Sequence, residues 1–310
     1  MTALHAIGVD VGGTKLEAVV LDADGRERWR ERCPTPRADY AATLQAIVAL
    51  ADRARASLHG APCTLGFGTP GSLSRDGRMK NCNSTQLNGQ PLPGDLATRL
   101  GQPVRMANDA NCLAMSEATD GAGAGCDVVF AAILGTGIGA GIAVHGRVLE
   151  GPNRLSGEWG HVPLPWADDD DPRWPCFCGQ TGCSETLLSG PGLARDHAAR
   201  HGGTASAAQI AERASAGDTV AEDTLARWER RLARALAQVI DLLDPDVIVL
   251  GGGLSRIERV YRTVPSLWAQ WVFAGGLREP VRTRLLPSRH GDSSGVRGAA
   301  WLWREPARGG

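Results

Sequence analysis

One pattern of elements occurs twice in this chain of 310 residues: strand, glycine turn, strand, hairpin turn, strand. The first copy begins with the apolar residues 6–10 and turns at residues 11–14. The second copy begins with residues 128–134 and turns at residues 135–137. Repetition of one supersecondary unit indicates internal duplication. The pattern therefore predicts two related α/β lobes that face a cleft.

Composition and charge exclude several classes of protein. The 33 basic and 34 acidic residues give a net charge of −1, which offers no electrostatic reason to bind nucleic acid or an acidic membrane. Hydrophobic residues at 43% and charged residues at 22% exclude a disordered chain. No apolar run reaches the ~18 residues that span a bilayer, and residues 1–5 lack the segments of a signal peptide. We therefore expect a cytoplasmic protein without nucleic-acid or membrane partners.

The first glycine turn differs from the two common nucleotide motifs, because a strand rather than a helix follows it. Glycines let backbone amides approach phosphate oxygens, and a threonine adds a hydroxyl donor. An aspartate at the end of the first strand is placed to hold Mg²⁺ beside those phosphates. We predict a phosphate-binding turn, with a plain hairpin as the alternative. Its residues are Asp10, Gly12, Gly13, Thr14 and Lys15.

Two further glycine clusters extend this prediction to a nucleotide triphosphate. The second copy of the repeat carries Gly135, Thr136 and Gly137 in the equivalent turn, and a triphosphate held between lobes needs a cradle on each. A third cluster, formed by Gly251, Gly252 and Gly253, follows a buried strand and suits a flat adenine or ribose. A flexible loop is the alternative there, although three adjacent glycines are costly to order.

Polar residues at a strand–helix junction are candidates for catalysis. Asn108 and Asp109 follow the strand 104–107 and open a helix, so helix capping is one explanation for them. Phosphoryl transfer requires a group that accepts the proton of the attacking hydroxyl, and an aspartate at a strand end suits that role. We assign Asp109 as general base and Asn108 as a hydroxyl-binding neighbour. Glu158 and His161 offer acceptors for sugar hydroxyls, with an incidental polar loop as the alternative.

The eight cysteines form two populations. Five are scattered beside apolar residues and are read as small buried hydrophobes, namely Cys33, Cys63, Cys82, Cys112 and Cys126. The other three, Cys176, Cys178 and Cys183, lie within eight positions and favour a metal over disulfides. With His161 as the fourth ligand they predict a structural Zn²⁺ site, closed to catalysis. The acidic run 168–171 is interpreted as a solvated loop rather than a metal site.

Together these motifs resemble those of the ROK family of sugar kinases and repressors. The resemblance covers essentially the whole chain, and the cysteine segment is its most specific part. Residues 80–91 and 290–303 are most similar to bacterial fructokinases of the manno(fructo)kinase type. The matching segments are residues 10–15, 108–111, 135–137, 157–161, 176–185 and 251–253.

The resemblance implies an actin-like ATPase fold of the hexokinase and ribonuclease H type, with two α/β lobes around a cleft. We place the lobes at residues 1–118 and 119–310, with a last helix near 293–304 that packs back on the first. The resemblance also implies ATP with Mg²⁺, a homodimer, and transfer of the γ-phosphate to the 6-hydroxyl of a hexose. Fructose is the expected acceptor, with mannose, glucose or an N-acetylhexosamine as alternatives.

The resemblance also carries roles onto individual positions. It supports Asp109 as the base and the four zinc ligands named above. The sugar contacts it implies are Gly71, Asn108, Asp109, Glu158, His161 and Glu185.

Three other functions fit these motifs less well than a kinase does. A repressor of this family carries a DNA-binding helix-turn-helix ahead of the first glycine turn, and here that turn begins within the first dozen residues. A sugar sensor without turnover does not need a proton acceptor at Asp109. A zinc-ribbon scaffold leaves both glycine turns unexplained.

Overall fold

The duplicated apolar runs form the centres of two five-stranded sheets in the computed structural model, which describes residues 5–36, 39–274 and 279–304. Residues 1–4, on which the signal-peptide expectation partly rests, lie outside the described residues. A two-stranded hairpin accompanies the sheets. The described strands are β1 His5–Val11, β2 Lys15–Leu21, β3 Glu27–Pro34, β4 Cys63–Thr69, β5 Ser72–Leu73, β6 Met79–Lys80, β7 Arg105–Asn108, β8 Val128–Leu134, β9 Ile138–Val144, β10 Arg147–Val148, β11 Val247–Gly251 and β12 Arg284–Pro287.

Helices connect and cover the strands, and side chains cap several of them. Asp218 accepts hydrogen bonds from two backbone amides at the start of α7, and this helix ends at Leu243, with Asp244 as its C-cap and Pro245 following. None of the helices in the described ranges is long and apolar enough to cross a membrane. They are α1 Tyr40–Ala56, α2 Leu92–Leu100, α3 Asp109–Thr119, α4 Glu185–Leu188, α5 Gly190–His201, α6 Ala207–Ser215, α7 Thr219–Leu243, α8 Val260–Leu267 and α9 Ser294–Trp301.

The first sheet has the order β3-β2-β1-β4-β7. Strand β1 runs antiparallel to β2 and parallel to β4, and β4 runs parallel to β7. Their register aligns Asp10 with Gly68 and Thr69 with Asn108. Because parallel strands bring their carboxyl ends to one edge, Asp10 and the Asn108–Asp109 junction lie at the same edge of this sheet.

Both faces of the first sheet are covered, which explains why β1 is apolar almost throughout. Ile7 and Val9 pack with residues of α1, whereas Ala6 packs with α9. Helix α9 approaches the backbone directly: a Cβ atom on Gly8 would lie 2.1 Å from Val296 O. A glycine is therefore required at this crossing.

The second sheet has the order β10-β9-β8-β11-β12, which repeats the order of the first. Strand β11 runs parallel to both β8 and β12, and β9 pairs antiparallel with β10. The equivalent order confirms the duplication inferred from the two glycine turns.

The chain divides into two compact units whose boundaries differ from a single division after residue 118. The first unit contains the chain up to residue 125, residues 141–156 and the chain from residue 292, and the second contains residues 126–140 and 157–291. Residues 141–156 belong with the first unit because β9 packs on α3 there: a Cβ atom on Gly141 would lie 2.3 Å from Ala110 O. Helix α9 packs on β1 and β4 within the first unit.

Candidate active site

The first glycine turn joins β1 to β2 and requires glycine for its closure. Gly12 N donates to Lys15 O at 3.0 Å, and a Cβ atom on Gly12 would lie 2.7 Å from that oxygen. Gly13 and Thr14 are exposed, so this part of the turn is accessible to a ligand. Lys15 Nζ lies 3.5 Å from the carboxylate of Glu17, which is buried. A phosphate contact by Lys15 stays a prediction.

Two carboxyl groups approach each other at the edge of the first sheet. Desolvation of the partly buried Asp10 carboxyl, with repulsion from Asp109 and Glu17, raises the pKa of Asp10 to about 7, against an opposing effect of Lys15. Such a site favours the binding of a cation, because a cation stabilises the charged carboxylates. Mg²⁺ in particular prefers oxygen ligands. The arrangement of Asp10 therefore fits the Mg²⁺ predicted from the sequence.

Side chains of the strand–helix junction bond to the backbone at the start of α3. Asn108 Oδ1 accepts from Asn111 N at 2.7 Å, which is the N-cap of α3. Asp109 Oδ1 accepts from Ala110 N at 2.8 Å. Both side chains are therefore held against the start of α3, and the amide nitrogen of Asn108 is not part of its capping bond.

A small cavity adjoins this junction within the first unit. It has a volume of about 40 Å³, and its lining combines polar residues, among them Ser72, Asn108, Asn111, Glu150 and Arg154, with apolar ones. Gly71 lies directly before Ser72 with a φ of +75°, and a Cβ atom there would lie 2.4 Å from Lys80 O. The sequence predicts a sugar contact at Gly71. The close approach of Lys80 O in β6 also requires glycine at this position.

The second glycine turn is supported by Glu185. Gly135 N donates to Gly137 O at 3.0 Å, and Glu185 Oε2 accepts from Ile138 N at 2.8 Å. A Cβ atom on Gly137 would lie 3.0 Å from the same carboxylate oxygen. Glu185, predicted as a sugar contact, thus also positions the turn that was predicted to bind phosphate.

The predicted sugar contacts of the second unit surround Ile138. Glu158 precedes a turn of 3-10 helix, Trp159–His161, and a Cβ atom on Gly160 would lie 2.5 Å from Ile138 O. Since Glu185 contacts the amide of Ile138, both segments lie against the start of β9. The structure thus brings Glu158, His161 and Glu185 to one region of the second unit.

A large cavity of about 1080 Å³ lies within the second unit beside the second glycine turn. Gly135 and Thr136 line one side of it and Gly253 lines another. Gly252 has a φ of +81°, and a Cβ atom there would lie 2.5 Å from Leu134 O, so β11 and β8 approach closely at this point. Gly251 is buried at the end of β11. The cavity is large enough for a nucleotide.

The three clustered cysteines and His161 converge as the sequence predicts. Their ligand atoms all lie within 4.8 Å of one another. Cys176 Sγ lies 3.5 Å from His161 Nδ1, and Cys178 Sγ lies 3.6 Å from Cys183 Sγ. Zn–S bonds of about 2.3 Å in a tetrahedron place two sulfurs just under 4 Å apart, so the four residues fit Zn²⁺.

The interpretation of residues 168–171 as a solvated loop is wrong for Asp171. Its carboxylate is buried and accepts from Arg231 Nε at 2.7 Å and from Arg234 Nη2 at 2.6 Å. Burial raises its pKa, but hydrogen bonds from Arg231, the Asp168 backbone and Arg234 outweigh this effect, so the pKa of Asp171 lies below its usual value. Arg231 also lies 3.1 Å from Asp196 on α5.

The arginine partners of Asp171 were missed by the sequence analysis, although a signal for them exists. Arg227, Arg231 and Arg234 follow each other at intervals of four and three, so they lie on one face of α7. Trp228 and Leu232 lie beside them at buried positions. Arginines at the spacing of a buried helix face require carboxylate partners, and residues 168–171 are the densest acidic run in the sequence.

Comparisons with known proteins cover both units. A family model described as the ROK family matches residues 6–306. The chain is 38% identical over 301 residues to an N-acetyl-D-glucosamine kinase of Yersinia pseudotuberculosis, covering 95% of this chain and 97% of the relative. It is 39% identical over 310 residues to an enzyme of the same name from Erwinia tasmaniensis, covering 95% and 98%.

Solved structures share the whole architecture. A ROK hexokinase from Thermus thermophilus superposes with a TM-score of 0.83 at 31% identity, covering 96% of this chain and 97% of the other. A ROK family glucokinase from Streptomyces griseus, solved with glucose and AMPPNP, gives a TM-score of 0.76 at 30% identity and covers 96% and 98%. These matches confirm the α/β, actin-like fold class that the resemblance implies.

Proposed function

Because this chain belongs to the ROK family and is an ATP-dependent sugar kinase, we propose that its acceptor is the 6-hydroxyl of N-acetyl-D-glucosamine. The observation that carries this choice is the identity of 38–39% over 95% of the chain to enzymes named for that sugar. The relatives therefore favour the N-acetylhexosamine alternative over fructose, the acceptor expected from the sequence.

In the proposed reaction, Asp109 is the general base. Its carboxylate accepts the proton of the sugar hydroxyl as the oxygen attacks the γ-phosphorus, and the bond to the leaving ADP oxygen breaks. Its position at the carboxyl ends of β1, β4 and β7 supports this role, and the hydrogen bond from Ala110 N at 2.8 Å holds the side chain there. Asn108 is fixed by its capping bond, which leaves its amide nitrogen to donate to a neighbouring hydroxyl.

Each glycine turn is proposed to bind phosphate of the nucleotide. In the second unit, Gly135–Gly137 cradles phosphate and the cavity beside Gly253 receives the adenosine. In the first unit, Asp10 and the first glycine turn would hold Mg²⁺ and phosphate, and Mg²⁺ would neutralise charge on the transferring phosphate. Zn²⁺ would be held by His161 and the three cysteines and would fix the loop that carries His161.

A panel of sugars with ATP tests the acceptor. The assay couples ADP release to a chromogenic readout and compares kcat/KM for N-acetylglucosamine, N-acetylmannosamine, glucose, mannose and fructose. We expect the highest value for N-acetylglucosamine, with the phosphate on carbon 6 by NMR. A higher value for fructose would restore the acceptor expected from the sequence. Binding of N-acetylglucosamine without ADP release would favour a sensor.

A further inference from the structure

Three charged residues form a row across the strands at the edge of the first sheet that carries the glycine turn. The antiparallel register pairs Asp10 of β1 with Glu17 of β2, and Glu17 with Arg32 of β3. Directly paired residues of antiparallel strands point to the same face of a sheet, with Cβ atoms about 5 Å apart. Val19, two residues after Glu17, packs with α9, so the row lies on the face that α9 covers. Arg32 is thus the outer end of a row that begins at the proposed Mg²⁺ ligand.

Glu17 collects cationic side chains at this edge. Its carboxylate is only 2% exposed, and Lys15 Nζ lies 3.5 Å from it. Arg32 Nη2 lies 2.9 Å from Glu17 Oε1, and Arg30 Nη1 bonds to the same oxygen. A buried carboxylate with several cationic neighbours holds them close together and leaves an excess of positive charge beside the turn.

The cations differ in how much bonding capacity they keep. Arg30 is 23% exposed and also bonds to Glu27 and, at 3.0 Å, to Ser293 Oγ, so its donors serve the fold. Lys15 and Arg32 are 48% and 49% exposed, and in the described ranges each forms an ion pair with Glu17 alone. An ammonium and a guanidinium each have several N–H donors, so one carboxylate contact leaves donors for a second acceptor.

The strand that carries Arg32 is fastened to the glycine turn itself. Thr35, directly after β3, donates from its backbone amide to Thr14 O at 3.0 Å and from its hydroxyl to Gly12 O at 2.7 Å. Lys15 follows the turn as the first residue of β2. The turn, Lys15 and Arg32 therefore keep a fixed relation to one another, which is what a preformed anion site requires.

We propose that Arg32 is a second cationic contact for donor phosphate at the first glycine turn, beside Lys15, and that Glu17 positions both side chains. The planar fork of a guanidinium binds two phosphate oxygens at once, whereas an ammonium acts as a point charge, so the two residues complement each other. The inference rests on the proposed phosphate binding at this turn, and it holds for any sugar acceptor.

Arg32→Gln tests the phosphate contact. We expect kcat/KM for ATP to fall about tenfold or more, the effect of one lost charge-assisted hydrogen bond, while KM for the sugar stays within about twofold. Arg32→Lys keeps the charge but loses the fork, so its value should lie in between. Arg28→Gln is the matched control, because Arg28 lies four residues earlier on β3 and pairs instead with Asp22 at 2.7 Å. This control should keep the values of the unaltered protein.

Nucleotide binding without turnover separates the contact from a structural role. Calorimetry compares AMPPNP with Mg²⁺ against adenosine, which has no phosphate. Arg32→Gln should weaken AMPPNP binding about tenfold and leave adenosine binding and Tm unchanged, because a half-exposed ion pair contributes little to stability. Unchanged AMPPNP binding would overturn the proposal. An equal loss for both ligands together with a lower Tm would assign Arg32 to the fold and overturn it as well.

A double-mutant cycle tests Glu17 as a positioning residue. Glu17→Gln should lower kcat/KM for ATP, and in its background the further loss caused by Arg32→Gln should be smaller than in the unaltered protein. Equal losses in the two backgrounds would show that Glu17 does not position Arg32. If Glu17→Gln does not fold, the same cycle is run with Glu17→Asp, which keeps the charge on a shorter side chain.

Lys15→Gln distinguishes failure of this inference from failure of the proposed phosphate turn. If Lys15→Gln weakens AMPPNP binding and Arg32→Gln does not, the role of Arg32 is wrong and the turn keeps its proposed function. If neither variant changes AMPPNP binding while the sugar is still phosphorylated, phosphate binding at the first turn and this inference fail together.

Discussion

The two units each place a pair of aspartates near one another, with opposite consequences. In the first unit, burial raises the pKa of Asp10, and the nearby carboxylates of Asp109 and Glu17 raise it further. In the second unit, Asp171 and Asp196 are both buried, and Arg231 lies between them at 2.7 Å and 3.1 Å. Its surroundings disfavour the charged form of Asp10, whereas the arginine partners of Asp171 favour its charged form.

This difference separates a chemical site from a structural one. Arginines compensate the charge of Asp171 within the protein, so the segment before Cys176 is anchored to α7 without any ligand. The charge of Asp10 is disfavoured by burial and by the carboxylates of Asp109 and Glu17, so a cation or a proton stabilises this group. A carboxylate raised in pKa beside a glycine turn is therefore a stronger indication of chemistry than burial alone.

The largest effect is expected at Asp109. Its replacement by alanine should lower kcat about a thousandfold or more, because the proton acceptor is lost, while ATP binding stays within a few-fold of the unaltered protein. Coupled ADP release measures kcat, and calorimetry measures nucleotide binding. Asp76→Ala, in an exposed turn of the same unit, is the control. Near-normal turnover of Asp109→Ala would show that Asp109 is not the general base.

The second prediction concerns the structural pair. Asp171→Ala should lower the free energy of unfolding by about 3–5 kcal/mol, because Arg231 and Arg234 are left buried without their carboxylate. Urea denaturation at pH 7 measures this change. Since the pKa of Asp171 is lowered in the folded state, its contribution is present above its unfolded pKa and is lost as the pH falls below about 4.

Asp169→Ala is the matched control for this anchor. Asp169 belongs to the same acidic run but is exposed, so its removal should change the free energy of unfolding by less than about 0.5 kcal/mol. Similar losses in both variants would mean that the whole run, rather than the buried carboxylate, stabilises the loop.

The strands and glycine turns of this fold follow from local sequence, whereas the anchor does not. Apolar runs such as residues 247–250 and the glycines at the two turns have direct local causes, namely burial on both faces and close backbone approach. Asp171 and Arg231 are 60 positions apart, so only the fold reveals that they meet. The acidic run read alone therefore predicts solvent exposure.

The candidate site shows the same division. The convergence of His161 with the three cysteines could be predicted because their types and spacing are specific for zinc. The position of Ser72 at the small cavity carried no such signal, since the lining of a cavity is a property of three-dimensional packing. The assignment of residues 141–156 to the first unit could not be predicted from the sequence either, because it depends on contact between Gly141 and α3.

The smallest effect on the free energy of unfolding is expected at Asp10, and its sign is opposite to that expected at Asp171. Because the folded-state pKa of Asp10 is raised to about 7, the folded protein holds this proton more tightly than the unfolded chain does. Stability from this group is present below pH 4 and is lost as the pH rises through about 7. Asp10→Asn should therefore stabilise the metal-free protein at pH 8 by about 1–2 kcal/mol, and by less at pH 5.

Urea denaturation at both pH values in the presence of a chelator measures the difference. Asp52→Asn, at an exposed position of α1, should show no pH-dependent gain. Asp10→Asn should also lose most kinase activity, since its carboxylate is proposed to hold Mg²⁺ at the phosphates. A variant more stable and less active would show that the charge at this edge of the sheet is kept for chemistry. A loss of stability at pH 8 would instead place Asp10 with Asp171, as a residue that holds the fold.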